Sequence, residues 1–417
     1  MNLTSGQLYW VDIQKSLKPE YPKLEEDISC ECLVIGGGVA GASCAYALQK
    51  AGVDTVLIDK RRIGFGSTSA NTGLLQFSND KMLTSCIHTF GEQSGVGFYR
   101  MCLEALNDLE AVIAELDLFP DFYRRDSLYY ASHPMDEAKL RDEFAALSAY
   151  GFPVSYLDSA ELRTRFSFEK AGAILSRDNA EINPFAYARS LTFTASRRGI
   201  RVFEHTEVQS HTAGQDGISF LTTDGKTIKA KKAVLTMGYE SQEIKHNPNA
   251  VLTSTYVIAT EPIPGGDIAG WSDRCLIWET AKPSLYLRRT ADNRVVVGGL
   301  DINGIEPAER DRRLKAKGEK LLAETIKLFP ALEGTRIDYA WAATFGSTHD
   351  GLPLIGEQEG FPHCYFALVY GGNGTIYSAI ASRIVTGLVK DGKHPDAALF
   401  RFDRPTRSMS SSGAEPS

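Results

Sequence analysis

A glycine-rich turn between an apolar run and a helical segment constrains the fold of this chain more than any other feature. Residues 32–35 form an uninterrupted apolar run, the pattern of a buried parallel strand, which leads into Gly36-x-Gly38-x-x-Gly41. Residues 39–51 then have helical character, and residues 55–59 form a second, largely apolar strand. This order predicts a βαβ unit of the kind that opens a doubly wound sheet.

The residue types at this turn are those that a dinucleotide site needs. Gly36 allows a tight turn, Gly38 lets backbone N–H groups approach a pyrophosphate, and Gly41 lets the helix pack closely on the sheet. Asp59, at the end of the second strand, can accept hydrogen bonds from a ribose hydroxyl. These features together predict dinucleotide binding, but the motif does not distinguish FAD from NAD.

Composition excludes several other classes of protein. A chain of 417 residues suggests two or three domains, and its net charge of −7 without a basic block makes nucleic acid and anionic membranes poor partners. The seven cysteines are scattered without a CxxC pair, and no HExxH motif is present, so we expect no disulfides, no metal site and a cytoplasmic location. The longest apolar stretch, residues 33–48, is interrupted by glycines and is too short to span a bilayer.

Apolar spacing and turn residues predict the remaining elements. Amphipathic helices are expected at residues 92–117, 136–150, 187–198, 306–328 and 376–388. Asp224-Gly225 and residues 291–293 predict two β-hairpins, and residues 234–236 are expected to form a further, separate strand. Residues 1–29 are expected to be an extended arm, and the Ser-rich residues 405–417 a disordered tail.

A second glycine cluster, Gly64-Phe65-Gly66-Ser67-Thr68-Ser69-Ala70-Asn71-Thr72-Gly73-Leu74, follows the βαβ unit. It resembles a stretch of the FAD-dependent D-amino-acid oxidase superfamily, which includes glycine oxidase, sarcosine oxidase and γ-glutamylputrescine oxidase. Four further segments are similar to that superfamily in the same order: Asn183-Pro184, residues 234–238, residues 350–356 and residues 371–374. The resemblance covers roughly residues 30–404 and favours FAD over NAD.

The resemblance implies an α/β fold in which a Rossmann-like FAD-binding domain is interleaved with a substrate domain built on a mainly antiparallel sheet. The alternation of βαβ segments and meander-like strands along the chain predicts the same interleaving. The expected boundaries are residues 30–80, 181–245 and 338–400 for the FAD-binding domain, and residues 81–180 and 246–337 for the substrate domain.

The resemblance also implies which residues hold FAD. They lie in the glycine-rich segments and directly beside them: Gly36, Gly38, Val39, Ala40, Gly41, Asp59, Lys60, Gly66, Ser67, Thr68, Asn71, Thr72, Gly73, Leu74, Gly238, Gly371, Gly372, Asn373, Gly374 and Thr375. The last of these segments precedes the helix at residues 376–388. The positive end of that helix would stabilise the negative charge of a reduced flavin ring.

Members of the superfamily oxidise a carbon–nitrogen bond, and this activity is the expected one. A hydride equivalent passes from the carbon beside the amine to the flavin, and the imine is then hydrolysed. The expected partners are therefore a small amine or amino acid and either O2 or an electron carrier. A dehydrogenase that uses such a carrier and a flavin-binding protein without turnover are the two alternatives. The substrate and the oligomeric state stay open.

The substrate side departs from the amino-acid-oxidising members. Their carboxylate-binding arginine corresponds to Phe345, and Arg288 is the expected alternative cation. Tyr286 corresponds to a substrate tyrosine of sarcosine oxidases, and it shares a strand face with Arg288. Either Arg288 binds a carboxylate, or the substrate has none there. His349 is either a polar pocket residue or a structural histidine.

Two further positions bear on how the flavin is attached and reoxidised. The residues that form covalent flavin links in related enzymes correspond to Ala343 and Ala70, which cannot form such a bond. We therefore expect noncovalent FAD. The lysine that assists oxygen in sarcosine oxidase corresponds to Val296, which weakens the oxidase interpretation relative to a dehydrogenase.

Overall fold

The computed structural model describes residues 1–14, 19–244, 247 and 250–404. These residues form a mixed α/β fold with two sheets. The helices are α1 (Tyr9–Ile13), α2 (Val39–Lys50), α3 (Leu83–Phe90), α4 (Glu92–Ala114), α5 (Glu137–Ala149), α6 (Ser159–Arg165), α7 (Pro184–Arg197), α8 (Ser241–Ile244), α9 (Pro307–Leu328), α10 (Gly374–Asp391) and α11 (Ala397–Phe400). The strands are β1 (Thr4–Gly6), β2 (Ile28–Ile35), β3 (Thr55–Ile58), β4 (Leu74–Leu75), β5 (Tyr123–Tyr130), β6 (Val154–Asp158), β7 (Gly172–Glu181), β8 (Arg201–Phe203), β9 (Val208–Ala213), β10 (Ile218–Thr222), β11 (Thr227–Leu235), β12 (Ala250–Thr260), β13 (Leu276–Glu279), β14 (Tyr286–Arg289), β15 (Val295–Asn303), β16 (Ile337–Thr348), β17 (Leu354–Glu357) and β18 (Cys364–Leu368).

The first sheet is built around four parallel pairings. Its strand order is β17-β18-β11-β2-β3-β8, and β10 and β9 extend it from β11. β18, β11, β2, β3 and β8 run parallel to one another, as in a doubly wound sheet. The sheet therefore brings the carboxyl ends of β2, β3 and β11 to one edge, where α2 begins.

The second sheet is almost entirely antiparallel. Its strand order is β1-β16-β12-β15-β14-β13-β5-β7-β4, and β6 pairs with β7. The pairing of β13 with β5 is its one parallel pairing among the described residues. β12 and β16 pair along eleven positions and form the long central part of this sheet. The fold class expected from the sequence is confirmed.

Close packing explains the glycines that open α2. Gly36 has φ of +109°, a conformation that favours glycine, and a Cβ atom there would lie 2.7 Å from the carbonyl oxygen of Thr236. A Cβ atom on Gly41 would lie 1.7 Å from the carbonyl oxygen of Gly36. The helix that begins at this turn packs between α7 and α10. The two glycines thus let α2 lie directly against the end of β2.

Most of the elements expected from the sequence are present, with shifts of a few residues at their ends. β10 and β11 form the hairpin predicted at Asp224-Gly225, and β14 and β15 form the hairpin predicted at residues 291–293. The separate strand expected at residues 234–236 is wrong, because β11 continues unbroken to Leu235. No turn residue interrupts residues 229–233, so the chain stays extended.

The N-terminal segment is more structured than an extended arm. β1 pairs with β16, and α1 follows it, so the extended conformation expected there is wrong at Tyr9–Ile13. Tyr9 and Trp10 drive this folding because both side chains are buried. The tail expected at residues 405–417 lies outside the described residues.

The domain boundaries stay a prediction. The strands of the first sheet lie at residues 28–35, 55–58, 201–235 and 354–368. Two strands inside the expected cofactor segments, β4 and most of β16, pair in the second sheet. Among the described residues, no helix has both the length and the apolar character needed to cross a membrane.

Candidate active site

Two adjoining cavities mark the candidate site. The first, of about 370 Å³, lies at the carboxyl edge of the first sheet, and we call it the nucleotide half. The second, of about 340 Å³, has a wall of second-sheet residues, and we call it the reactive half. Ser67, Asn71, Tyr239 and Gly374 line both. The two halves therefore adjoin along shared walls and can accommodate one extended ligand.

Asp59 holds the glycine turn of the nucleotide half in place. The N–H of Gly37 donates to Oδ2 of Asp59 at 2.6 Å, and the N–H of Arg61 donates to Oδ1 at 2.7 Å. Burial raises the pKa of this carboxyl, and the two N–H donors oppose the increase. Asp59 also lines the cavity, so it can both shape the turn and accept a ribose hydroxyl.

The start of α2 faces the nucleotide half, and the residue before this helix, Gly38, has no side chain that could cap the first N–H groups. Thr68, from the second glycine cluster, accepts the N–H of Val39 on its Oγ1 at 2.9 Å. Free N–H groups and the positive end of a helix favour a bound phosphate. A Cβ atom on Gly38 would meet only Oγ1 of Thr68, at 3.1 Å. The chain can therefore approach a pyrophosphate closely at this point.

A wall that was not expected from the sequence closes the nucleotide half. Residues 206–211 line it, next to the charged cluster of Arg61, Lys60 and Glu240. Arg61 donates to both carboxylate oxygens of Glu240, at 2.9 and 2.7 Å. Burial opposes ionisation of Glu240, but Arg61 and Lys60 hold its pKa below the ordinary value. Residues 206–211 carry no glycine-rich motif, so the sequence offered no signal for this wall.

The start of α10 lies at the reactive half. Asn373, the residue before this helix, donates through Nδ2 to the carbonyl oxygens of Gln76 and Ser78 at 2.8 and 2.9 Å. A Cβ atom on Gly372 would lie 2.5 Å from Oδ2 of Asp80. Among the described residues, the buried Oγ1 of Thr375 has no hydrogen-bond partner. The glycine turn is thus held close to the cavity wall, and the Thr375 hydroxyl in the first turn of α10 has no partner for its hydrogen bond among the described residues.

Aromatic side chains form much of the reactive half. Tyr286, Phe345, Trp278 and Tyr239 all line it. The ring of Tyr286 lies against β15, where a Cβ atom on Gly298 would be only 2.2 Å from the ring. The Tyr286 hydroxyl lies 3.0 Å from Oγ1 of Thr255, and burial raises its pKa well above the ordinary value. This half therefore offers apolar faces with a few hydroxyl groups.

Asp301 is a lining residue of the reactive half that sequence reasoning missed. It follows Leu300, whose φ of +56° is rare for a branched side chain, and the register of β12 against β15 shifts there. Burial raises the pKa of Asp301 to about 6, and a hydrogen bond with Thr255 opposes the increase. A strand pattern predicts faces by strict alternation, which a bulge interrupts. The Gly298-Gly299 pair before it was the available signal.

Two of the four expected substrate-site residues lie outside the described lining of either half. Arg288 is 1% exposed, and its Nη1 donates to the carbonyl oxygens of Gly73 and Ile182 at 2.9 and 2.7 Å. Its Nε lies 3.6 Å from Oε2 of the buried Glu181. His349 is exposed, just after the end of β16. Tyr286 and Phe345, by contrast, line the reactive half together.

The expected cofactor residues are distributed over both halves. The nucleotide half is lined by Gly36, Gly38, Val39, Ala40, Asp59, Lys60, Gly66, Ser67, Thr68, Asn71, Gly238 and Gly374. The reactive half is lined by Thr72, Leu74, Gly371, Gly372 and Asn373, and again by Ser67, Asn71 and Gly374. Gly41, Gly73 and Thr375 lie just outside both linings.

These residues fit a flavin dinucleotide. The glycine turn before α2 suits a pyrophosphate, and the start of α10 suits a ring that becomes negatively charged on reduction. At the start of α10, the unpartnered Oγ1 of Thr375 and the carboxylate of Asp80 close to Gly372 provide polar groups beside the cavity. Ala70 and Ala343 also line the reactive half.

Sequence comparison identifies relatives over nearly the whole chain. A family described as FAD dependent oxidoreductase matches residues 31–388. Gamma-glutamylputrescine oxidoreductase of Escherichia coli (strain K12) is 27% identical over 385 residues, which cover 90% of this chain and 88% of that protein.

Structural comparison gives a matching result for the fold. Glycine oxidase from Geobacillus kaustophilus has a TM-score of 0.76 and 20% identity, covering 90% of this chain and 99% of that one. Dithionite-reduced L-α-glycerophosphate oxidase from Mycoplasma pneumoniae, solved with FAD bound, has a TM-score of 0.72 and 14% identity, covering 88% and 97%.

Proposed function

Because the chain belongs to the family of FAD-dependent oxidoreductases, we propose that it oxidises the carbon–nitrogen bond of an amine or amino acid. The product is an imine, which water converts to a carbonyl compound and the released amine or ammonia. The observation that carries this proposal is that a cavity with aromatic walls adjoins a cavity suited to a dinucleotide. The names of relatives such as gamma-glutamylputrescine oxidoreductase and glycine oxidase agree with such a substrate.

Holding the cofactor is the first task of this site. The turn at Gly36 and Gly38 and the start of α2 would bind the pyrophosphate, with Asp59 at the ribose. The glycine turn at residues 371–374 and the start of α10 would lie at the flavin ring. Bound FAD supplies a two-electron acceptor for the hydride that leaves the carbon beside nitrogen.

Positioning the substrate is the second task. Tyr286 and Phe345 present aromatic surfaces that can hold the carbon chain of an amine, and the hydroxyl pair of Tyr286 and Thr255 can accept or donate one hydrogen bond. Since the amine must be neutral when hydride leaves, no strong acid or base has to act at the reacting atoms. Orientation of the amine against the flavin ring supplies the rate enhancement.

We further propose that FAD is bound without a covalent link, because Ala70 and Ala343 have no side chain able to form one. Two other functions remain as alternatives. A dehydrogenase would pass the electrons to a carrier instead of O2. Val296 favours a carrier, because it is apolar and corresponds to the lysine that assists oxygen in sarcosine oxidase. A flavin-binding protein without turnover would leave the aromatic cavity without a substrate.

Anaerobic mixing with a panel of amines and amino acids tests the proposal. A substrate is expected to bleach the visible absorbance of the bound flavin. If the flavin absorbance recovers rapidly when air is admitted and hydrogen peroxide forms, the protein is an oxidase. If the absorbance recovers slowly in air and faster with an added electron carrier, the protein is a dehydrogenase. If no compound in a broad panel bleaches the flavin, a flavin-binding protein without turnover is the better interpretation.

A further inference from the structure

The wall of the reactive half contains a carboxylate that has no ion-pair partner among the described residues. Asp301 lines this half, and among the described residues its buried Oδ1 has no hydrogen-bond partner. A buried carboxylate oxygen without a donor is costly, so an unmatched one in a ligand cavity indicates a cationic ligand. The positive φ of Leu300 and the bulge at this position turn the carboxylate away from regular strand geometry.

Among the described residues, no cation forms an ion pair with this carboxylate, and the more distant charges of Lys282 and Lys317 oppose only part of the rise in its pKa. The charged residues of the reactive half are Asp80, Lys282 and Asp301. Lys282 lies 3.7 Å from Asp80, and both side chains are more than half exposed, at 59% and 56%. Lys317, on the neighbouring helix α9, donates instead to the carbonyl oxygen of Leu300 at 3.0 Å. The inner wall therefore attracts positive charge and repels a carboxylate.

The reacting nitrogen is a poor partner for this carboxylate. A nearby negative charge stabilises the protonated form of an amine, whereas loss of hydride from the neighbouring carbon needs the neutral form. A carboxylate that binds tightly to the reacting nitrogen would thus hold the substrate in its unreactive form. The same carboxylate suits a second nitrogen that keeps its proton throughout the reaction.

We propose that the substrate carries a second, non-reacting ammonium group, and that this group binds to the carboxylate of Asp301. The substrate class is therefore a diamine or a longer polyamine rather than an α-amino acid. This inference rests on the proposed oxidation of a carbon–nitrogen bond, because it assigns the two nitrogens different tasks. Tyr286 and Thr255 lie beside the anchored end and the aromatic faces hold the chain between the two nitrogens.

The test compares α,ω-diaminoalkanes with monoamines of the same chain length on the flavin-loaded protein. Binding is measured by calorimetry without oxygen on protein whose flavin has first been reduced with dithionite, so that no turnover adds heat. Flavin bleaching is measured separately on the oxidised protein as a function of amine concentration. Asp301→Asn removes the charge and keeps the shape. Asp142→Asn is the matched control, since it removes the same charge from an exposed position on α5 that lines neither half.

Asp301→Asn is expected to weaken diamine binding by about 10- to 100-fold, the effect of losing a charge-assisted hydrogen bond. Monoamine binding should change by less than about threefold, and Asp142→Asn should change diamine binding by less than about twofold. Equal losses for diamines and monoamines in Asp301→Asn would overturn the proposal, and so would tighter binding of α-amino acids than of diamines by the unchanged protein.

The two readouts separate this inference from the proposed function. Calorimetric selectivity for diamines that depends on Asp301, without any bleaching, would support the ammonium site and contradict the oxidation. Bleaching by monoamines or amino acids without such selectivity would contradict the ammonium site and leave the oxidation standing.

Discussion

Asp301 exemplifies a residue that serves ligand binding at the expense of stability. Its pKa rises from 3.8 in the ordinary state to about 6 in the folded protein. Since the folded state binds the proton more tightly, ionisation favours unfolding. The destabilisation is absent below pH 3.8, grows as the pH rises toward about 6, and is complete above it.

Asp301→Asn should therefore raise the free energy of unfolding at neutral pH by about 1–3 kcal/mol, even though it weakens diamine binding. The gain should shrink as the pH falls toward 4, about the ordinary pKa of aspartate. Urea unfolding at several pH values measures it. The control Asp142→Asn should leave the free energy of unfolding nearly unchanged, because Asp142 is exposed. A pH-independent effect of Asp301→Asn would show that burial does not perturb this carboxyl.

Arg288 tests whether a buried cation supports the fold or the substrate. Its guanidinium donates to two main-chain carbonyl groups and lies near the buried Glu181. Arg288→Met should lower the free energy of unfolding by about 3–5 kcal/mol, because it leaves these acceptors without a donor. Arg336→Met is the control, because the Arg336 side chain is 83% exposed in its pair with Glu261 and its loss should leave the free energy of unfolding nearly unchanged.

The alternative role expected from the sequence predicts another result for the same variant. If Arg288 binds a substrate carboxylate, Arg288→Met should keep its stability and show a strongly raised KM for amino acids. Chemical denaturation and steady-state kinetics on one preparation distinguish the two roles.

At the scale of elements, the start of α10 should set the reduction potential of the bound flavin. Among the described residues, the buried Oγ1 of Thr375 in the first turn of this helix has no hydrogen-bond partner, so it can donate to the ring. Thr375→Val should lower the potential by about 10–40 mV relative to Thr375→Ser, because it removes a donor that stabilises the negative charge of the reduced ring. Equal potentials in these two variants would show that the helix start does not act on the ring.

The sequence predicted local elements well where turn residues or apolar runs are distinctive. The βαβ unit followed from residues 32–59, and Asp224-Gly225 identified the hairpin of β10 and β11. The helix α1 was missed because its five residues are too few to show a period. Asp301 was missed because one bulge changes the face to which a strand residue points, and a bulge depends on the partner strand.

At the scale of the whole molecule, the site depends on two sheets that come together from distant parts of the sequence. The glycine motifs identified the nucleotide half, but the wall at residues 206–211 and the pair of Arg61 with Glu240 carry no motif. Such walls form by long-range packing, which local patterns do not record. The sequence therefore indicated the glycine turns of the nucleotide half and two aromatic residues of the reactive half, Tyr286 and Phe345, but not the other walls.

Noncovalent attachment of FAD is a prediction about the intact molecule. Acid precipitation of the yellow protein should release all of the flavin into the supernatant, since Ala70 and Ala343 cannot hold it. Mass spectrometry of the released compound should identify FAD. Flavin fluorescence that stays with the denatured chain on a gel would contradict this prediction.

The central claim is that an amine reduces the flavin held in this cavity while its carbon–nitrogen bond is oxidised. A single-turnover experiment without oxygen measures both events, by following flavin absorbance and trapping the carbonyl product after quenching. We predict equimolar amounts of reduced flavin and carbonyl product with a diamine substrate. Reduction without a carbonyl product, or no reduction by any amine or amino acid, would contradict the account.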